Sequence, residues 1–131
     1  VSYVPLGEDA MIAYSYSDLK FKNNSSGNIL LLLDAYGPSV TCYIYGIPIL
    51  EEGVTVAMDS WVEETLPVPD PEYIEDDSLA PGEEEYDSYG KEGCRVVTDI
   101  VTYKDGEEIS REFLHNSIYR AQAPVIRRNS G

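Results

Sequence analysis

The sequence predicts a mainly β fold built from two small antiparallel β modules, the second thin and elongated. Tyr, Val, Ile and Thr are abundant, no stretch keeps an apolar 3.6-residue period over three turns, and polar turn clusters punctuate short apolar runs. A length of 131 residues suits one ordinary domain or two very small ones. Charge draws the division. Residues 1–50 carry four acids and two bases, residues 51–92 fifteen acids and one base, and residues 93–131 five acids and six bases. The middle third therefore holds nearly all of the net charge of -15. It also holds Pro67, Pro69, Pro71 and Pro81, which cannot donate to a strand ladder. Leu66 to Pro81 accordingly reads as a linker-like crossing, with residues 1–65 as one module and 66–131 as the other, each near the lower size limit for an unaided core.

The elements follow in order. Ala10 to Tyr16 is a candidate strand, and Leu19 to Lys22 alternates so that Leu19 and Phe21 face inward. The polar run Asn23 to Asn28 supplies a turn before Ile29 to Tyr36, the most apolar segment; Gly37-Pro38 breaks it, and Val40 to Tyr45 returns antiparallel. Val54 to Val62 is a further strand, with Val54, Val56 and Met58 on one face. The strongest local signal is a hairpin: Val96 to Tyr103 and Glu107 to Leu114 flank Lys104-Asp105-Gly106, where Asp-Gly supplies the positive φ of a tight turn. Neither arm is two-faced, because Asp99 shares a face with Val97 and Val101, and Arg111 with Ile109 and Phe113. That pattern predicts a sheet open to water on both faces.

Composition also excludes function classes. The acidic balance, with no basic patch of useful size, argues against nucleic acid and anionic lipid as partners. The longest aliphatic run, Ile29 to Leu33, falls far short of the ~20 apolar residues of a membrane helix. One His and two Cys, 52 positions apart, give no sequence-local metal cage, and no nucleophile, base and orienting group converge in motif form, so neither cofactor nor catalytic residue is expected. Asp70, Glu72, Glu75, Asp76 and Asp77 lack the spacing and central Gly of a calcium loop and read as a solvated acidic crossing. His115, with Glu112 nearby, is a single imidazole at a strand end. For Cys42 and Cys94 the sequence leaves open both a disulfide joining the modules and two free thiols. Asp9 likewise has two readings: an orienting group for an upstream catalytic residue, or part of a Gly7-Glu8-Asp9 turn into the first strand.

Two resemblances overlie these readings. Residues 3–10, Tyr-Val-Pro-Leu-Gly-Glu-Asp-Ala, followed by Asp18-Leu19-Lys20-Phe21-Lys22-Asn23-Asn24 and by Tyr43-Ile44-Tyr45-Gly46, resemble the C-terminal part of the VanW family. These are bacterial envelope proteins first named from vancomycin-resistance clusters. The family's upstream Gly-Gly-Gly-x-Cys-Gln-x-Ser and Arg-x-x-His stretches have no counterpart here. The resemblance thus implies a fragment of a longer protein, any membrane anchor lying outside it, and supplies no catalytic residue. The second half is similar to the five-glycine domain of bacterial surface adhesins and cell-wall hydrolases. Pro81-Gly82, Gly90, Gly93 and Tyr103-Lys104-Asp105-Gly106 match its spacing, with Ile109-Ser110-Arg111-Glu112 as the second arm and Asn129 where the family places a glycine. Asn tolerates the left-handed region better than most residues.

The second resemblance implies binding of cell-wall polysaccharide or peptidoglycan, and weak, in some adhesins zinc-assisted, self-association. Together the two imply a noncatalytic, extracellular or envelope-associated bacterial protein. An alternative places the chain in a peptidoglycan-modifying enzyme whose Cys/His segment lies upstream; another makes it a structural stalk. The ligand candidates are the rings of Tyr86, Tyr89, Tyr103 and Tyr119, with Gly82, Gly90, Gly93, Asp105 and Gly106 as structural turns. Tyr14 with Tyr16, and Tyr43 with Tyr45, would share strand faces, where cross-strand packing explains the spacing as well as glycan stacking does.

Overall fold

The computed structural model describes residues 4–10 and 15–131. Most of the expected strand Ala10 to Tyr16, including Tyr14, lies outside the described residues. Eight strands follow: β1 Leu30–Tyr36, β2 Ser39–Tyr45, β3 Val54–Leu66, β4 Glu72–Glu75, β5 Glu84–Ser88, β6 Gly93–Lys104, β7 Glu107–Tyr119 and β8 Val125–Arg128. They form three sheets, ordered β1-β2, β3-β6-β7 and β4-β8-β5. No helix occurs among the described residues, as the composition predicts. Leu19 to Lys22, expected as a strand, forms none. Its alternation finds no ladder there.

The chain folds as two compact units. One comprises Ala10–Val56 and Thr102–Ile109. It contains the β1-β2 hairpin, paired from Leu30↔Tyr45 to Tyr36↔Ser39, with every residue of both strands exposed. Asn23 organises the turn before it by accepting hydrogen bonds from the Ser25 N–H and hydroxyl at 3.0 and 2.7 Å and donating to the Gly27 carbonyl at 2.8 Å. The tip of the β6-β7 hairpin also belongs here: Asp105 and Gly106 both have positive φ, 50° and 85°, the type I′ geometry that Asp-Gly favours. The Asp105 N–H donates to the Gly53 carbonyl at 2.9 Å.

The other unit comprises Val1–Asp9, Ala57–Val101 and Ser110–Gly131. Contacts Ser60–Thr98 at 2.9 Å and Glu64–Arg95 at 3.2 Å rise along β3 as they fall along β6, so the pair is antiparallel. The core is small and sits on the middle strand: Val96, Val97, Thr98, Asp99 and Val101 of β6, with Ile126 of β8. This corrects the expectation of arms wet on both faces. β7 stays largely exposed, but β6 lies between two neighbours and is buried on both faces. Asp99 is accommodated by Arg111, which reaches it at 3.4 Å and Asp59 at 2.7 Å.

The proline-rich crossing contains one strand the sequence hides. β4 occupies the proline-free stretch after Pro71 and pairs in parallel with β8, Glu72↔Val125 to Glu75↔Arg128, while β5 pairs with β8 antiparallel. Parallel pairing needs a long connection, and residues 76–124 provide it. Charge explains the order. β8 carries Arg127 and Arg128 between two acidic strands; Arg127 meets Asp76 at 3.0 Å and Glu85 at 2.7 Å, and Arg128 meets Glu75 at 2.9 Å.

Candidate functional site

The register of the β4-β8-β5 sheet gathers aromatic rings on one face. Tyr73 and Tyr86 both pair with Ile126, so their side chains flank it on the same side, and Arg128, two residues on, joins that face. Ile126 is buried, whereas Tyr73 and Tyr86 are about half exposed. The Arg128 guanidinium lies 4.6 Å from the Tyr73 ring centroid, within cation–π range, while its Nε holds Glu75. A register shift between Tyr86 and Ser88 turns the strand, and Tyr89 beyond it stacks on Tyr86 with centroids 5.1 Å apart and planes 15° from parallel. Tyr86 is 53% exposed and Tyr89 80%. The result is an aromatic platform with Tyr73 on one side of Ile126, the stacked Tyr86–Tyr89 pair on the other, and Arg128 and Glu75 beside Tyr73.

Of the four rings singled out in the sequence, the structure brings together Tyr86 and Tyr89. Tyr103 is half-buried in β6. Tyr119 is spoken for: its hydroxyl accepts the Gly7 N–H at 2.7 Å and donates to the Asp9 carboxylate. That bond holds the Asp9 carboxyl below its usual range, and burial, followed by the same bond, pushes the Tyr119 hydroxyl up. Tyr73 was missed because it lies inside the proline-rich crossing, where no strand alternation is visible.

The turn residues divide into two kinds. Gly82 and Gly106 have positive φ. Gly90 and Gly93 do not, and are glycine for closeness: a Cβ on Gly93 would stand 2.3 Å from the Tyr119 carbonyl oxygen and the Ala121 nitrogen. Asn129 does not take the left-handed conformation; its side chain donates to the Leu79 carbonyl at 2.7 Å and accepts the Gly131 N–H at 3.0 Å.

The acidic crossing is partly consumed by structure. Hydrogen bonds from Ser130 and then Arg128 lower the Glu75 pKa, and those from Ser78 and then Arg127 lower that of Asp76. No group of three metal-ligating side chains occurs among the described residues, His115 and Glu112 included. Cys42 is an exposed free thiol on β2 and Cys94 a half-buried free thiol on β6. Tyr43 and Tyr45 lie on one face of β2 with centroids 6.4 Å apart.

Comparison with known families bears on both halves. The model of the G5 domain, the five-glycine domain, matches residues 59–129. The chain belongs to the G5 domain family. A second model, VanW like protein, matches residues 1–45. Both are families of cell-envelope-associated proteins. Among solved structures, the G5 module is similar to the one titled "IgA1 Protease G5 domain structure", at 20% identity over 58% of this chain and 88% of that one, TM-score 0.40. It is also similar to "Crystal structure of HP0197-G5", at 25% identity over 58% of this chain and 97% of that one, TM-score 0.33. No curated protein matches the chain.

Proposed function

We propose that this is a noncatalytic, cell-envelope-associated module whose G5 half binds neutral sugar units of peptidoglycan or cell-wall polysaccharide on the Tyr73–Tyr86–Tyr89 platform. The observation that carries the reading is the stacked pair Tyr86–Tyr89, which keeps two aromatic rings parallel, pre-ordered and largely in water. Leaving such rings exposed forgoes burial free energy, and an apolar patch rimmed by polar groups is the usual mark of a binding surface. Sugar C–H groups are a fitting partner for ring faces, and the surrounding Glu and Arg side chains supply hydrogen-bond acceptors and donors for hydroxyls. Stacking already orders the two rings, which lowers the entropy lost on binding.

Charge sharpens the proposal. A chain at -15 is repelled by anionic wall polymers, so attraction must come from ring contacts and neutral hydrogen bonds. Binding to insoluble peptidoglycan should therefore persist or strengthen as ionic strength rises, because salt screens the repulsion. Sedimentation of the full chain with peptidoglycan at low and high salt tests this. Retention that collapses with salt would refute the mode of binding, and retention unchanged in Tyr89→Ala would refute the site.

A further inference from the structure

We infer that the surface formed by Ser60, Val96, Thr98 and Tyr119 is an acceptor groove for a Gly-x-Asp segment entered through a turn, that the chain's own residues 4–9 fill it, and that the G5 module is completed only when it is filled. The donor lies in the VanW-like match and the acceptor residues in the G5 match, Thr98 and Tyr119 standing 91 and 112 positions from Gly7 along the chain, yet both belong to one compact unit.

The fit is specific at Gly7. It is buried, has a φ of 89°, and a Cβ there would stand 2.6 Å from Thr98 Oγ1, 2.8 Å from Val96 Cγ1 and 3.3 Å from Ser60 Oγ. Only glycine allows this approach. Both of its polar groups are used. The Thr98 hydroxyl donates to the Gly7 carbonyl at 3.2 Å, which leaves the Ser60 hydroxyl to donate to Thr98 at 2.9 Å. On the other side the Gly7 N–H donates to Tyr119, whose own proton goes to Asp9. A carboxylate two residues after the glycine thus closes a relay that begins at the glycine's own amide. Pro5 and Glu8 form the turn that presents Gly7, the Glu8 N–H donating to the Pro5 carbonyl at 3.2 Å.

The groove also needs its occupant. The described buried core of this unit is Val96, Val97, Val101 and Ile126 with Thr98 and Asp99. Gly7 packs against two of the most buried of these, Val96 and Thr98, so an empty groove would open the centre of β6 to water.

Trans-complementation of the full chain tests the inference. Gly7→Ala should expel the segment and raise hydrogen exchange at the Val96 to Thr98 amides by about tenfold or more through local opening. A synthetic peptide of residues 4–10 should restore protection, and the same peptide carrying Gly7→Ala should not. Wild-type protection in the Gly7→Ala chain, or no restoration at saturating wild-type peptide, would overturn the inference. Should Gly7→Ala prove insoluble, Asp9→Asn gives a second test. It should raise exchange at the same amides more modestly, and unchanged exchange would again overturn the inference. None of these readouts involves glycan.

Discussion

Replacing Thr98 by Val isolates the buried half of the Gly7 relay. Thr98 has no exposed surface, and Val keeps its branched shape while removing the hydroxyl that links Ser60, at 2.9 Å, to the Gly7 carbonyl, at 3.2 Å. Ser60 is half-buried and can turn to water, but the Gly7 carbonyl is left buried without a donor. A stranded buried acceptor costs about 1–3 kcal/mol, and the long 3.2 Å bond argues for the lower half of that range, about 1–2 kcal/mol. For a module of this size that is a fall in Tm of about 4–16 °C, at about 4–8 °C per kcal/mol. The single Trp, Trp61, stands on β3 beside Ser60, so urea unfolding followed by its fluorescence reports on the right unit. Ser60→Ala and the double variant complete a cycle. Because both hydroxyls serve one relay, the double variant should lose less than the sum of the singles. A loss below about 0.5 kcal/mol in Thr98→Val would refute the claim that the segment is held through a buried hydrogen bond.

Three further outcomes follow from the same geometry. Gly93→Ala places a methyl against the Tyr119 and Ala121 backbone, which cannot rotate aside as a side chain can; a loss of about 1–3 kcal/mol in urea unfolding is expected, and a neutral result would contradict the close approach. Arg127→Met removes ion pairs to Asp76 and Glu85 that are partly exposed, so the expected loss is about 1 kcal/mol, fading in high salt; a loss indifferent to salt would contradict the ionic account. For pH, Asp9, Glu75 and Asp76 are held below their ordinary range, so their stabilisation is complete above the unfolded carboxylate pKa near ~4 and drains as pH falls through the lower folded values. Tyr119 is raised, so its share is complete below ~10 and drains as pH rises through the higher folded value. Acid also relieves the net charge, so comparison with Asp9→Asn isolates the local effect; that variant should lose less stability between pH 5 and pH 2, set about the ~4 of a free carboxyl, than the wild type does.

The readable parts of the fold were those fixed by local chemistry. Asp105-Gly106 dictates its turn because few other dipeptides tolerate two positive φ values, and the runs at 30–36 and 39–45 had no competing period. Burial was misread where it depends on long-range order. Nothing within Val96 to Val101 says that it is the middle strand or that Gly7, far away in sequence, lies upon it. β4 was hidden by the prolines before it and by distance, since its partner β8 lies some fifty residues further on and pairs in parallel. The site shows the same split. Tyr86 and Tyr89 were legible only as candidate rings of the second module, whereas Tyr73 joined them through register with Ile126 and Tyr119 left them for Gly7 and Asp9. Arg127 and Arg128 belong to the more basic third that follows the acidic stretch, but nothing in the sequence says that the two regions meet.

The most direct test of the glycan-platform claim is a chemical-shift titration of the full, isotope-labelled chain with a soluble peptidoglycan disaccharide. The account predicts saturable shifts centred on Tyr73, Tyr86, Tyr89 and Arg128, retained at high salt and abolished by Tyr86→Ala with Tyr89→Ala. Shifts that instead centre on Tyr43 and Tyr45, that vanish with salt, or that survive the double substitution would contradict it.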